Sequence, residues 1–134
     1  AENAARFKVL PDADDFTAVD GVSVENVASV YTANNGAGAV VTASARGYGG
    51  DVTVMVGFHA DGTIQAITVT NHEETQGIGS NVVDSAEYLA QYAGLPAQPL
   101  TLGVDVDAYT GATRSSNAVI EAVNAAIAAY NQIP

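Results

Sequence analysis

Residues 107–117 read Asp-Ala-Tyr-Thr-Gly-Ala-Thr-Arg-Ser-Ser-Asn, a run that gathers hydroxyls, a carboxylate, a glycine and a guanidinium. The turn Thr110-Gly111-Ala112 leads into a long amphipathic pattern, so Thr113 and Arg114 fall where a helix begins. A helix start presents N–H groups without intrahelical acceptors and a partial positive charge. Both favour a phosphate. The stretch therefore suits a phosphate-bearing ligand. The same residue types also suit a plain N-cap, in which a Ser or Thr hydroxyl accepts from the backbone. Spacing alone leaves the two readings open.

Other chemistry-bearing residues are sparse. Gly47-Tyr48-Gly49-Gly50 precedes a Val-rich segment, and His72-Glu73-Glu74-Thr75-Gln76-Gly77-Ile78-Gly79 forms a polar loop. Gly77 and Gly79 permit a ligand to approach the backbone closely. His59 and His72 fall at different strand ends, and no carboxylate repeats at metal-ligand spacing. Asp12, Asp14 and Asp15 resemble the start of a calcium loop but lack its glycine and distal glutamate. No metal site is expected. The chain holds no cysteine, which excludes disulfides and thiolate sites. No Gly-x-Ser-x-Gly elbow and no Walker or Rossmann glycine pattern follows a strand.

The elements that must position these residues read as α+β. Residues 1–9 suggest a short helix ending before Pro11, with Phe7 and Leu10 as docking residues. Asp12–Asp20 reads as an acidic turn region. Strands are expected at 24–32 and 38–44, joined by an Asn34-Asn35-Gly36 turn. A second pair is expected at 52–58 and 63–70, joined at Asp61-Gly62. Val52, Val54, Val56 and Phe58 alternate onto one face. The alternation breaks at Ala66-Ile67, which signals a bulge or burial on both faces. The result is an antiparallel sheet of about four or more strands. A middle helix is expected at 84–93, with Asp84 and Glu87 at capping-box spacing and Gly94 and Pro96 beyond it. Residues 99–106 read as extended. The last helix should run over about 113–131, with Val119, Val123, Ile127 and Tyr130 as its apolar stripe.

At 134 residues, 48% of them apolar, the chain reads as a single domain over 1–134 with enough material for a core. Its net charge is −11, from four basic and 15 acidic residues. That balance excludes nucleic acid, which needs clustered Lys and Arg, and disfavours anionic lipid surfaces. No apolar run is long enough to span a bilayer, and no export signal is visible.

Asp107-Ala108-Tyr109-Thr110-Gly111-Ala112-Thr113 resembles the D-x-x-[S/T]-G-A-T flavinylation motif of FMN-binding domains, which occur in the G subunit of the Rnf electron-transport complex and the C subunit of the sodium-pumping NADH:quinone reductase. Gly47–Gly50 is similar to that family's G-Y-G-G entry, and His72–Gly79 to its H-x-E-T-P-G-L-G loop. Gln76 replaces the usual Pro and Ile78 the usual Leu. The resemblance covers nearly the whole chain. It implies FMN joined by a phosphoester to Thr113, added by a flavin transferase that uses FAD and a divalent metal. It further implies an electron-transfer role beside redox partners of a membrane complex, at an extracytoplasmic site. The anchor would lie in a segment outside this chain.

On this reading Thr110, Gly111 and Ala112 form the turn before the attachment residue. Arg114 neutralises phosphate charge if it points inward. Asp107 holds the turn or is read by the transferase. Glu74 and Thr75 are candidates to contact the flavin ring. Tyr48 and Tyr109 either stack on it or fill the core, and Gly77 lets the backbone close on it. The alternatives are a flavin-dependent reductase with its own small substrate and His72 as proton donor, a non-covalent FMN-binding module, and a binding module without flavin.

Overall fold

Residues 2–19, 21–22, 24–46, 51–71, 86–108 and 113–133 are described by the computed structural model. Five strands form one antiparallel sheet in the order β1-β2-β3-β4-β5. They are β1 (Phe16–Ala18), β2 (Val27–Ala33), β3 (Gly38–Arg46), β4 (Asp51–His59) and β5 (Ile64–Asn71). Each neighbour follows its predecessor in sequence, so the sheet is a meander. Helix α1 spans Glu2–Val9, α2 spans Ala86–Leu89 and continues as a 3₁₀ turn over Ala90–Tyr92, and α3 spans Thr113–Tyr130. The α+β expectation holds.

Both faces of the sheet are covered. Val52, Val54, Val56 and Phe58 are all buried on the face that receives α2 and α3. Met55, on the opposite face of β4, packs with Val40, Ala33, Val9, Leu10 and Ala13 under α1. Phe7 meets Phe16 with ring centroids 5.0 Å apart. Arg6, near the end of α1, lies 4.0 Å over the ring of Tyr31.

The Ala66-Ile67 break in alternation reflects this two-sided burial. Ile67 joins the α3-side cluster and Ala66 the α1-side cluster. Their pairing is regular, Val56 to Ile67 and Gly57 to Ala66. The irregularities lie on either side, at the Gly57/Phe58 and Thr53/Val54 steps.

Several local expectations are corrected. The acidic region contains the short edge strand β1, which three residues with a single aromatic do not announce. The β2–β3 connection is a longer loop, in which Gly36 takes positive φ (81°) while both asparagines stay at negative φ. Asp14 Oδ1 accepts from the N–H groups of Asp15 (2.7 Å) and Asn35 (3.0 Å), so this carboxylate ties the acidic loop to the hairpin. The β4–β5 turn closes through His59 N–H to Thr63 O at 2.7 Å, with Gly62 at φ 89°. Asp61 accepts there from the Thr63 N–H and hydroxyl, and the hydroxyl foremost holds its carboxyl below the ordinary value.

The middle helix is present over 86–92 of the expected 84–93, with 84 and 85 outside the described residues; it tightens to 3₁₀, and the chain leaves the helix at Ala93 (ψ 130°). The segment expected to be extended over 99–106 instead folds back after Thr101. Gly103 takes φ 87°, Asp105 Oδ2 accepts from the Thr101 N–H at 2.8 Å, and Leu102 bridges Val106.

At Gly57 the end of α1 packs directly on the sheet backbone. A Cβ there would overlap the Val9 carbonyl. Gly57→Ala should therefore cost about 1–3 kcal/mol, the usual range for overpacking. Urea denaturation checks this, and a cost within error would show that α1 is not held at this contact.

Candidate functional site

The 18-residue α3 is the scaffold of the site. Its buried face is built from Ala118, Val119, Ala122, Val123, Ala126 and Ala129, all at 0% exposure, with Ile127 at 1%. Small residues at these positions let the helix axis lie close to β3 and β4. At the far end Tyr130 stacks on Phe58, centroids 4.4 Å apart, and its hydroxyl donates to His59 O at 3.0 Å. The helix is thus fixed along its length, and with it the place of its first residue, Thr113.

That first turn sorts its hydroxyls. Ser115 is 1% and Ser116 0% exposed, whereas Thr113 is exposed. Thr113 shares the solvent-facing stripe of α3 with Asn117 and Glu121. Of the three hydroxyls in this turn, then, only that of Thr113 is open to a second macromolecule.

The chain reaches this turn through residues 95–108, which contribute no strand. Some of their peptide groups pair with backbone, as Leu95 O does with the Ile64 N–H (2.8 Å) and the Ala97 N–H with Gly62 O (2.8 Å), and side-chain carboxamides satisfy others. Asn131 Nδ2 donates to Ala97 O at 3.1 Å. Asn124 pairs with both polar atoms of Leu100: its Oδ1 accepts from the N–H (2.8 Å) and its Nδ2 donates to the carbonyl (3.0 Å). Gln91 does the same for Asp107. Its Oε1 accepts from the Asp107 N–H at 2.9 Å, and its Nε2 makes a longer 3.5 Å contact with Asp107 O. Asp107 itself is exposed.

Gln91 is carried by the α2 segment, whose Tyr88, Leu89 and Tyr92 are buried in the core. Burial pushes the Tyr88 phenol up, the neighbouring Ser116 hydroxyl opposes this, and the charge of Asp107 adds to it. The α2 segment therefore touches the chain on both sides of the 107–113 motif, through Gln91 at Asp107 and Tyr88 at Ser116. Tyr92 is fully buried, and its hydroxyl finds no hydrogen-bond partner among the described residues. Burial foremost, and then the proximity of Tyr88, push its phenol far above the ordinary value.

Two of the sequence-derived candidates, Asp107 and Thr113, are placed with their side chains. Arg114 is placed as a helical residue, but its side chain is not among the described ones. Tyr48, His72, Glu74, Thr75, Gln76, Gly77, Tyr109, Thr110, Gly111 and Ala112 also lie outside the described residues. Among the described residues no group of three or more acidic or histidine side chains converges for a metal.

A cleft of about 430 Å³ opens between the β2–β3 hairpin and the C-terminal end of α3, lined in part by Thr32, Gly38, Tyr130 and Asn131. At about 1.5 Å rise per residue, the length of α3 separates it from Thr113. It holds none of the candidate residues.

Sequence reasoning missed Gln91, Tyr88, Ser116 and Asn124. Ser116 had a signal, since it falls on the apolar stripe one turn before Val119 and Ile120. Gln91 had none, because its partner lies 16 residues away across a turn.

Comparison with known proteins bears on this arrangement. Residues 47–128 match the FMN-binding domain family. The chain is 34% identical to the G subunit of the Na(+)-translocating ferredoxin:NAD(+) oxidoreductase complex of Acetobacterium woodii, across 96% of this chain and 73% of that protein. It is 32% identical to the G subunit of the ion-translocating oxidoreductase complex of Methanosarcina acetivorans, across 94% of this chain and 73% of that protein. The crystal structure of Shewanella oneidensis NqrC shares the fold, with a TM-score of 0.60 and 23% identity over 89% of this chain and 66% of the NqrC chain.

The buried Tyr92 hydroxyl yields a test. Tyr92→Phe should leave stability at neutral pH unchanged or raised by up to about 1 kcal/mol, because no hydrogen bond to the described residues is lost. The pH dependence has a definite sign. The folded state holds the phenol neutral while the unfolded chain ionises near 10.0, so this stability is complete below 10.0 and is lost as pH rises above it. Denaturation midpoints between neutral and strongly alkaline pH should fall less in Tyr92→Phe than in the parent. Parallel curves would show that the Tyr92 phenol ionises in the folded state as it does in the unfolded chain.

Proposed function

Because the chain belongs to the FMN-binding domain family, we propose that it is an electron carrier with FMN held by a phosphoester on Thr113, relaying electrons between redox partners of an ion-translocating complex. The observation that carries this reading is the sorting of hydroxyls at the start of α3: Thr113 is exposed, whereas Ser115 and Ser116 are buried. A phosphoester needs a hydroxyl that a modifying enzyme can reach and a polar surrounding for the phosphate. An exposed threonine at the first residue of a long helix meets both needs.

Attachment balances without a redox step. Thr113 Oγ attacks the riboflavin-side phosphorus of FAD, and the phosphoanhydride bond to the other phosphate breaks. AMP departs, and the hydroxyl proton passes to a base of the flavin transferase or to solvent. The divalent metal belongs to the transferase.

When bound, the flavin supplies one- and two-electron chemistry. The residues of this chain supply placement. On this reading the first N–H groups of α3 and an inward-pointing Arg114 would balance phosphate charge. The turn Thr110-Gly111-Ala112 and Asp107 would shape the approach to Thr113. Glu74 and Thr75 would contact the ring, Tyr48 and Tyr109 would stack on it or fill the core, and Gly77 would admit it close to the backbone. Among the described residues no helix is long and apolar enough to cross a membrane. We infer an extracytoplasmic position for the domain, with the anchor in a segment outside this chain.

With co-expressed flavin transferase, intact mass should rise by FMN less one water in the native chain and in Thr113→Ser, and not in Thr113→Ala. FMN retained on Thr113→Ala after denaturation would place the bond elsewhere. A second outcome concerns the potential. The −11 net charge disfavours adding an electron to the flavin, so the midpoint should lie below that of free FMN and climb as salt screens the field. Redox titration at low and high salt checks both, and a salt-independent value above free FMN would contradict the electrostatic account.

A further inference from the structure

We propose that Asn35 is a latent deamidation site, kept unreactive by its tie to the acidic loop over 12–15 and converted irreversibly once that tie opens.

Asn35 is the one asparagine of the chain that is followed by glycine. Glycine has no side chain to shield its peptide nitrogen, so that nitrogen can reach the carboxamide carbon of the residue before it. Asn35 and Gly36 are both exposed, which gives water and base access to them. The reaction needs no cofactor. The Gly36 peptide nitrogen loses its proton to a solvent base and attacks Cγ of Asn35. The Cγ–Nδ2 bond breaks, Nδ2 leaves as ammonia, and a cyclic imide remains. Water then opens the imide at either carbonyl, giving aspartate or isoaspartate. A water enters, an ammonia leaves, and no electrons are transferred.

The fold opposes each part of this step. The Gly36 N–H, whose proton must be lost, donates to Ala33 O at 3.1 Å. The Asn35 carboxamide, which must turn onto that nitrogen, is held at both of its polar atoms. Its Nδ2 donates to Asp12 O at 2.9 Å, and its Oδ1 accepts from the Ala37 N–H at 3.1 Å. The N–H of Asn35 itself donates to Asp14 Oδ1 at 3.0 Å. The bonds to Asp12 and Asp14 join stretches 23 and 21 residues apart in sequence. The acidic loop must therefore part from the hairpin before the attack geometry can form, and the reaction draws only on that open fraction.

The product cannot close again in the same way. An aspartate at position 35 has no donor for Asp12 O, and it sets a second carboxylate near that of Asp14. Isoaspartate shares both defects and lengthens the backbone by a methylene. Conversion thus makes a transient opening of the acidic loop permanent.

The full chain is incubated folded, and separately in guanidinium chloride, at the same mildly alkaline pH. Conversion at Asn35 is read by peptide mass and by isoaspartyl methyltransferase labelling. The unfolded chain should convert at least about tenfold faster than the folded one. Asp14→Ala removes the charged acceptor of the Asn35 N–H and should raise the folded-state rate about tenfold, the worth of one hydrogen bond to a charged group. It also removes a negative charge. Asp15→Ala removes an equal charge, but its Oδ1 accepts from the Phe16 N–H and not from Asn35, so its rate should stay within about twofold of the native chain. Asp14→Asn keeps an accepting oxygen and should restore most of the protection.

Equal rates in the folded and unfolded native chain overturn the inference, as does an unfolded chain that does not convert. Equal acceleration in Asp14→Ala and Asp15→Ala also overturns it, because charge and not the tie would then be the guard. If Asp14→Ala does not fold, the comparison of folded with unfolded native chain decides.

Discussion

The close seating of α3 on the sheet is the contact on which the rest depends. Four alanines on its buried face, Ala118, Ala122, Ala126 and Ala129, leave no exposed surface, and Val119, Val123 and Ile127 fill the spaces beside them. With Ala in those places the helix can approach β3 and β4 more closely than Leu or Phe would allow. A helix held this firmly has a fixed beginning. Thr113 is placed by packing that runs along the helix away from it, down to the Phe58–Tyr130 stack at the far end. The sheet in turn is held from behind by α1, whose last residue sits on the bare backbone of Gly57.

What packing does for Thr113, hydrogen bonding does for the approach to it. Residues 95–108 form no named strand, and beyond the backbone pairing at the β4–β5 turn and within 101–106 their peptide groups still need partners. Carboxamides supply them at Ala97, Leu100 and Asp107. An amide side chain is suited to this because it carries a donor and an acceptor at the spacing of a peptide unit. The arrangement gives an irregular segment a definite course, with Ala97, Leu100 and Val106 buried and Asp107 left exposed while its backbone is held.

The charge of the domain sets a problem that the proposed covalent attachment would answer. An anionic protein repels an anionic cofactor, and the repulsion is felt in the dissociation rate as well as in affinity. Local donors at a helix start reduce that repulsion only over the first turn. A bond would make retention independent of the field. The field would then be left to act on the electron affinity of the flavin.

The sequence alone determined the α+β class, the meander of the central strands, the long last helix with its stripe at Val119, Val123, Ile127 and Tyr130, and the chemical character of the 107–113 motif. These are local properties. Alternation, helical spacing and turn residues are written in neighbouring positions, and a short motif carries its own residue types. The tertiary structure decided matters that depend on which distant surfaces meet. Ala66 and Ile67 face opposite cores because a helix covers each side of the sheet. Residues 101–106 turn back because Asp105 caps Thr101 around Gly103, although their composition reads as extended. Above all, Thr113 is open while Ser115 and Ser116 are closed, and Gln91 rather than a nearer residue holds Asp107. A side-chain amide has no periodicity to betray its partner, and the exposure of a hydroxyl is set by what packs over it, so neither is written in the local pattern of the chain.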